Sequence, residues 1–341
     1  AFGQSSVAHH AVNVLLNAAV VALAYLCLVR LVAAPLALAT AFLFALHPLH
    51  VEVVASIANR TEMLAALAGL GALWLLLPDP AIARGVRPLR IAGAALLLLI
   101  ALLAKESALV FVPLALLCLW WVRRDSPRTL VYDLPALAGL ASAVVLYLAL
   151  RVVALGAIVP PKAEIPLVLL PAGGRVVRAV LLLGKYVALM LAPASPSADY
   201  SLGTPGLAAN PGSPDTWLYA GLLALVALTA LAGVARRHVA GLFAAWFLIA
   251  FAVTANVAFP IGTIFADRLT YLPGLGICGL LAWALLQIRS VPLRSTAFAS
   301  LALAFALRTI SYTVVWRDTT SVFAYEIATS PESVKVQNGW A

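Results

Sequence analysis

Apolar stretches of about 20 residues recur from near the first residue to beyond residue 310, and each is long enough to cross the hydrocarbon of a bilayer. That repetition leaves few folds open. A soluble chain needs a polar exterior even when large, and a soluble domain carries about 25% charged residues. Here 10% of 341 residues are charged, 64% are hydrophobic and the mean hydropathy is +1.05. One globular core could not hide so much apolar surface, but lipid removes the need to hide it. The stretches are apolar all round, as lipid-embedded helices are. The expected class is an all-α polytopic membrane protein.

Ten spans are expected, at 9–29, 33–46, 62–77, 89–104, 107–122, 134–154, 216–235, 239–256, 268–288 and 295–314. The net charge of +9 is not a nucleic-acid signal, because the cations are few and sit between apolar segments. Arg84, Arg87, Arg90, Arg123, Arg124, Arg128, Arg236, Arg237, Arg289 and Arg294 fall on one side if the chain starts outside and each span crosses once. The opposite, extracytoplasmic side then receives 47–61, Lys105-Glu106, 155–215, 259–267 and the C-terminal tail. Residues 166–192 are apolar but hold Arg175, Arg178 and Lys185, so they are expected as an interfacial or re-entrant segment on the outer face. Cys27, Cys118 and Cys278 lie in apolar segments and form neither a metal motif nor a disulfide framework. The chain has no initiating Met and no signal peptide, and reads as a fragment at both ends.

The outer side collects Glu52, Glu62, Glu106, Glu164, Asp199, Asp215 and Asp267. Three of these carboxylates sit at helix mouths beside a cation: Glu62 near Arg60, Glu106 beside Lys105 and Asp267 beside Arg268. Ionisable groups so close to hydrocarbon are costly, which makes them functional candidates as well as interfacial anchors. In His47-Pro48-Leu49-His50-Val51-Glu52 the proline breaks the preceding helix. His47, His50 and Glu52 could supply three metal ligands, but their spacing matches no zinc pattern, and hydrogen bonding to a polar substrate suits them better. No cofactor is firmly expected, and a divalent metal stays open.

These residues also carry a family resemblance. His47-Pro-Leu-His-Val-Glu52, continuing through Asn59-Arg60-Thr61-Glu62-Met63-Leu64, resembles a stretch of the transmembrane and tetratricopeptide-repeat (TMTC-type) protein O-mannosyltransferases. So do His10-Ala-Val-Asn13-Val-Leu-Leu-Asn17, Lys105-Glu106-Ser107, and Pro193 followed by Asp199-Tyr200-Ser201. The fifth match runs from Asn256 through Phe259-Pro260-Ile-Gly262-Thr263 to Asp267-Arg268-Leu-Thr-Tyr271-Leu-Pro273-Gly-Leu-Gly276-Ile-Cys278. The matches keep the family's order over nearly the whole chain. Asp267 stands where the family usually has Glu, Gly274 where it has Ser, and Asn17 where it has His. The family's first span and first outer loop, which carries the acidic residue assigned as catalytic base, precede the matched Asn13 helix, and the chain is expected to lack them.

The resemblance implies a GT-C-like transmembrane domain over 1–314 and the start of a tetratricopeptide region over 315–341, where Trp316-Arg317-Asp318, Phe323, Pro331, Val336 and Asn338 match. It puts the repeats on the same side as the active site; Arg far outnumbers Lys, and Ala and Leu dominate, which suits a GC-rich bacterial genome, so a bacterial inner-membrane enzyme with both facing the periplasm is expected. Such an enzyme moves a sugar, mannose or another hexose, from a polyprenyl-phosphate carrier in the membrane lipid to Ser or Thr of an acceptor protein, which the repeats could recruit. A site of that kind needs a cation for the leaving phosphate and a carboxylate for the acceptor's proton. Arg268 is the first candidate for the phosphate because its planar fork can bind two oxygens, with Arg60 and Lys105 next. Glu52 is the candidate assisting carboxylate, and His47, His50, Glu106, Asp199, Tyr200, Asn256, Asp267 and Tyr271 are candidate pocket residues. Each has an ordinary alternative, such as a snorkelling anchor for Arg268 or an interfacial aromatic for Tyr271. Two other classes stay open: a non-catalytic membrane anchor for external repeats, and a transporter, which would place polar groups at the bilayer midplane.

Overall fold

A computed structural model describes residues 6–78, 88–122, 129–157, 171–198, 212–257, 261 and 263–329. Among the described residues the regular structure is helical: α1 (Ser6–Leu28), α2 (Ala34–Leu46), α3 (Val51–Ala55), α4 (Arg60–Leu76), α5 (Pro88–Ala104), α6 (Phe111–Val122), α7 (Thr129–Leu155), α8 (Ala172–Leu191), α9 (Pro214–Ala235), α10 (Val239–Phe251), α11 (Gly274–Leu286), α12 (Val291–Thr313) and α13 (Thr319–Thr329). Short 3-10 turns occupy Pro48–His50, Glu106–Val110, Asp267–Thr270 and Val314–Arg317.

Among the described residues four helical stretches are long and apolar enough to cross a membrane: Val7–Leu28, Leu134–Leu155, Pro214–Ala235 and Val291–Arg317. A fifth is added if Ala34–Leu46 and Pro48–Ala55, bent by 56° at their junction, count as one broken span. Leu15, Val145, Leu228, Leu231 and Leu307 on the four long helices are exposed, a distribution that suits lipid rather than water. The chain is an all-α, multi-pass membrane protein.

A helix overlies each of the ten expected stretches, with several ends displaced. The stretch expected at 239–256 stops being helical at Phe251, and that expected at 268–288 becomes an α-helix only at Gly274. Both differences come from the polar turn between them. Asn256 adopts a left-handed φ of 58°, a conformation that asparagine tolerates better than most residues. The Asp267–Thr270 turn and Pro273 then delay the next helix. α8 occupies 172–191 of the segment expected as interfacial or re-entrant; it is amphipathic, carries Arg175, Arg178 and Lys185, and is not among the four long spans.

The chain divides into two compact units, residues 1–45 with 57–161, and 46–56 with 162–341. In the first unit α4 packs against α1, α5 and α6, and α5 and α6 pack on α7. Gly69 of α4 makes room for the Phe111 ring, whose Cε2 would lie 2.0 Å from an added Cβ. Arg30 donates to the carbonyls of Trp74 (2.8 Å) and Leu77 (3.2 Å), and Arg90 reaches the same two oxygens at 3.4 and 3.3 Å. Two cations thus satisfy the carbonyls at the C-terminal end of α4, where the helix dipole favours positive charge.

In the second unit α8 packs on α9 and α11, α10 lies between α9 and α11, and α12 packs against α3, α11 and the Pro48–His50 turn. Helix starts follow local chemistry. Pro214 opens α9 after Ser213, with Asp215 in its first turn. Ser290 accepts from Leu293 N–H at 3.4 Å to cap α12, and Asp318 accepts from Ser321 N–H at 2.7 Å at the start of α13. The Ser321 amide holds the Asp318 carboxyl below its ordinary range.

Candidate active site

Pro48, two residues past the end of α2, cannot donate to the preceding turn, so the chain bends into a 3-10 turn there. His47 precedes it with extended backbone and caps that turn: its Nδ1 accepts from Leu49 N–H at 3.3 Å. Its Nε2 lies 3.0 Å from the carbonyl of Met190 in α8. One neutral tautomer, with the proton on Nε2, satisfies both contacts. His47 therefore anchors the turn, and serving as a metal ligand would cost one of these bonds. His50 lies edge-on to Tyr271, with centroids 5.1 Å apart, and both rings are buried.

The turn hands the chain to α3, which carries Glu52 into the interior of the second unit with 1% of its side chain exposed. Its partner is Arg268. The Arg268 backbone N–H donates to Oε2 and Nη1 donates to Oε1, each at 2.7 Å. Nη1 also donates to the Ala198 carbonyl at 3.2 Å, and Nη2 to Thr263 Oγ1 at 3.0 Å. A buried carboxylate would be prohibitive alone; charge-assisted bonds to both of its oxygens offset the lost hydration. Arg268 keeps 22% of its side chain exposed, so the buried anion holds a cation that an outside anion can still approach.

Other side chains fix the approach to Arg268. Tyr186 of α8 stacks on Phe265, with centroids 3.8 Å apart. Its hydroxyl accepts from Ala266 N–H (2.9 Å) and donates to the Ala266 carbonyl (3.2 Å). Asp267 is fully buried, and its N–H meets the Ser197 carbonyl at 3.4 Å. Asn256, a candidate pocket residue, spends its amide on the same loop: Nδ2 donates to the carbonyls of Thr263 (3.1 Å) and Ile264 (3.3 Å), and Oδ1 accepts from Ile261 N–H (2.8 Å). Its placement is that of a loop bracket.

Arg60 and Lys105, the other candidate cations, lie in the first unit with partners of their own. Arg60 Nε donates to Oδ1 of Asn13 at 2.7 Å, and its Nη2 to the His9 carbonyl at 3.2 Å. Lys105 pairs with Glu62. Glu106 is exposed on the turn after Lys105. The partners lie far off in the sequence: Glu62 pairs with Lys105, Arg60 bonds Asn13, and Glu52 pairs with Arg268. Asn13 is fully buried, so its loss would strand a charge-assisted bond. Asn13→Ala is expected to cost about 1.5–3 kcal/mol, read as a lower melting temperature in detergent, while Asn13→Asp, which can still pair with Arg60, should lose little. An unchanged melting temperature in Asn13→Ala would show that this bond contributes nothing.

Asp199 and Tyr200 lie outside the described residues, as do Pro331, Val336 and Asn338 of the expected repeat. Among the described residues no group of three or more His, Cys, Asp or Glu is arranged to hold a metal. Two buried ionisable groups were not anticipated in the site. Lys185 lies 5.5 Å from the Phe265 ring, and burial pulls its ammonium down to about 8 against the opposing pull of Asp215 and Asp267. Glu326 of α13 accepts from Ala198 N–H at 2.9 Å and from Ser197 Oγ. The charges of Lys185 in an amphipathic segment and of Glu326 beyond the last span gave no hint of burial; only the long-range packing reveals it.

Comparison with curated proteins bears on this arrangement. Over 308 residues, 88% of the chain, it is 24% identical to Protein O-mannosyl-transferase F38B6.6 of Caenorhabditis elegans. The chain resembles protein O-mannosyl-transferases. Tmtc3 of Drosophila melanogaster is 27% identical over 44% of the chain, and Tmtc2 of the same fly 32% identical over 28%. The matched regions span 42%, 17% and 11% of those three proteins, so the chain corresponds to less than half of each relative's length. No family profile and no solved structure matches the chain.

Proposed function

We propose that this chain is the membrane part of a protein O-mannosyltransferase of GT-C type, which takes mannose or a related hexose from a polyprenyl-phosphate carrier and transfers it to Ser or Thr of proteins on the extracytoplasmic face. The observation that carries this reading is the Glu52–Arg268 pair: a buried carboxylate holding, by two bonds of 2.7 Å, a guanidinium that stays partly exposed. The names of the matching relatives support the same class.

The chemistry assigns each group a task. The acceptor hydroxyl attacks the anomeric carbon, the bond to the carrier phosphate breaks, and the phosphate leaves with an added negative charge. Arg268 stabilises that charge, as a preorganised donor does where charge develops. Glu52 fixes the orientation of the guanidinium before the donor arrives, so no reorganisation is needed at the moment of transfer. Glu52 also assists the carboxylate that takes the acceptor's proton, a residue expected in the loop that precedes the matched region. In this reading α13 opens a tetratricopeptide region that presents acceptor proteins on the same face, and the enzyme sits in a bacterial inner membrane.

The test uses intact membranes carrying the whole protein, supplied with radiolabelled polyprenyl-phosphate mannose. Protein-bound label released by alkaline β-elimination is the expected result, because Ser- and Thr-linked sugars leave by that route. Label that stays on lipid, in membranes where the protein is present and folded, would favour a non-catalytic anchor instead.

A further inference from the structure

Residues Pro193–Ala198 form a short strap between the end of α8 and the segment that follows, and three side chains from elsewhere in the second unit hold it. Arg308 of α12 donates to the carbonyls of Pro193 (3.1 Å) and Ala194 (2.9 Å) at one end. At the other end Ala198 is gripped on both faces of its peptide units. Its carbonyl accepts from Arg268 Nη1 at 3.2 Å, and its N–H donates to Glu326 Oε1 at 2.9 Å. Ser197 Oγ donates to the second Glu326 oxygen, and the Ser197 carbonyl receives the Asp267 N–H at 3.4 Å. Glu326 is 3% exposed.

We propose that Glu326 is a positioning residue for Arg268, acting through Ser197 and Ala198. The proposal rests on the reading of Arg268 as the cation for the donor's phosphate. Glu52 fixes one side of the guanidinium, and the Ala198 carbonyl fixes another edge of the same nitrogen. That carbonyl stays in place only while its own residue does. The Ser197 hydroxyl and the Ala198 amide are both spent on one buried carboxylate, and a carboxylate is the acceptor type that can take two such bonds at once. Glu326 lies on α13, the last described helix, so the final segment of the described chain helps to set the geometry of a cation whose other anchor is Glu52 of α3. Movement of α13 would reach Arg268 along two hydrogen bonds without any change in the Glu52 pair.

The experiment compares wild type with Glu326→Gln, which keeps the shape but leaves one oxygen and sets an NH₂ against a donor, and with Ser197→Ala, which removes one partner from the other side. The full chain is held in lipid nanodiscs. Deuterium exchange of the 194–198 amides and labelling of arginines by phenylglyoxal are read by mass spectrometry. In Glu326→Gln, exchange at Ala198 and labelling of Arg268 relative to Arg308 should each rise roughly tenfold, the equivalent of one charge-assisted hydrogen bond. Ser197→Ala should move both in the same direction by less, and Glu326→Asp should recover part of the change. General loosening would raise Arg308 as much as Arg268, and that result, or wild-type exchange at Ala198, would overturn the proposal. In the transfer assay Glu326→Gln should lower kcat with the donor KM little changed, because a less preorganised Arg268 gives up stabilisation of the leaving phosphate; wild-type kcat would also overturn the proposal. If wild type transfers no sugar, the enzymatic reading falls, and the Arg268-to-Arg308 labelling ratio alone still decides the link.

Discussion

Arg268→Ala is expected to abolish transfer and to destabilise the protein together. Truncating the guanidinium removes the Nη1 bond to Glu52 Oε1, leaving that carboxylate buried at 1% exposure, and also removes the Nη1 bond to the Ala198 carbonyl. Breaking a buried pair from one side costs about 3–5 kcal/mol, because the remaining charge keeps its desolvation penalty. The backbone N–H of residue 268 survives the substitution and softens the loss, since it still donates to Glu52 Oε2. Stability and chemistry separate in the double variant Glu52→Leu with Arg268→Met. Removing both charges leaves no stranded ion, so the melting temperature should recover much of the loss. Transfer should not recover, because a preorganised cation at the leaving group contributes about 10²–10³ in rate. Melting curves and β-eliminable label on the same preparations decide the matter. A double variant that transfers at wild-type rate would remove the pair from the chemistry and leave it a purely structural contact.

Gly241→Ala should be among the most damaging single-methyl changes in the chain. α9 and α10 form a hairpin whose backbones touch: a Cβ on Gly241 would lie 2.3 Å from the Gly233 carbonyl carbon and 2.4 Å from the Val234 nitrogen. From the other side, a Cβ on Gly233 would lie 2.5 Å from the Gly241 Cα. These neighbours are backbone, so no rotamer change relieves the clash. The connecting turn is tight as well, with His238 N–H bonded to the Gly233 carbonyl at 2.7 Å and Arg237 at a left-handed φ of 53°. Small residues at such crossings are what allow apolar helices to approach closely in lipid. Overpacking costs about 1–3 kcal/mol when side chains can yield, and the upper end or beyond is expected here. Gly221→Ala on the same α9 is the control. Nothing lies within 4 Å of its added Cβ, and the gain in helix propensity should stabilise by up to about 1 kcal/mol. Opposite shifts in melting temperature for the two Gly→Ala changes are the expected result; equal shifts would mean that the α9–α10 contact is looser than the structure has it.

The membrane class was legible because it depends on composition along the chain, which needs no tertiary information. The Pro48 bend was legible for a related reason: proline acts through its own ring and missing N–H. The charged pairs were not. Sequence neighbours such as Lys105 and Glu106 suggest ion pairs, yet adjacent side chains on a helical turn point apart. Lys105 therefore reaches Glu62, and Arg268 reaches Glu52, across separations of 43 and 216 residues. Candidate residues could be named from their types and positions, but their partners could not be assigned. The bonds from the Asn256 amide to its own loop were equally hidden, because they depend on how Ile261, Thr263 and Ile264 fold back towards it. Glu326 was passed over because a carboxylate in a polar tail ordinarily faces water.

The insertion of residues 46–56 into the second unit has a consequence for synthesis. The ribosome delivers Glu52 early, flanked by segments that complete the first unit, but the arginine that neutralises it follows 216 residues later. At about 5–20 residues per second, the carboxylate waits roughly 10–40 s. During that interval the 46–56 segment must stay in contact with water or a chaperoning partner, since hydrocarbon would not accept it. The nascent chain can close its first unit in order of appearance, while the second must leave a place open for a segment made long before the rest of it.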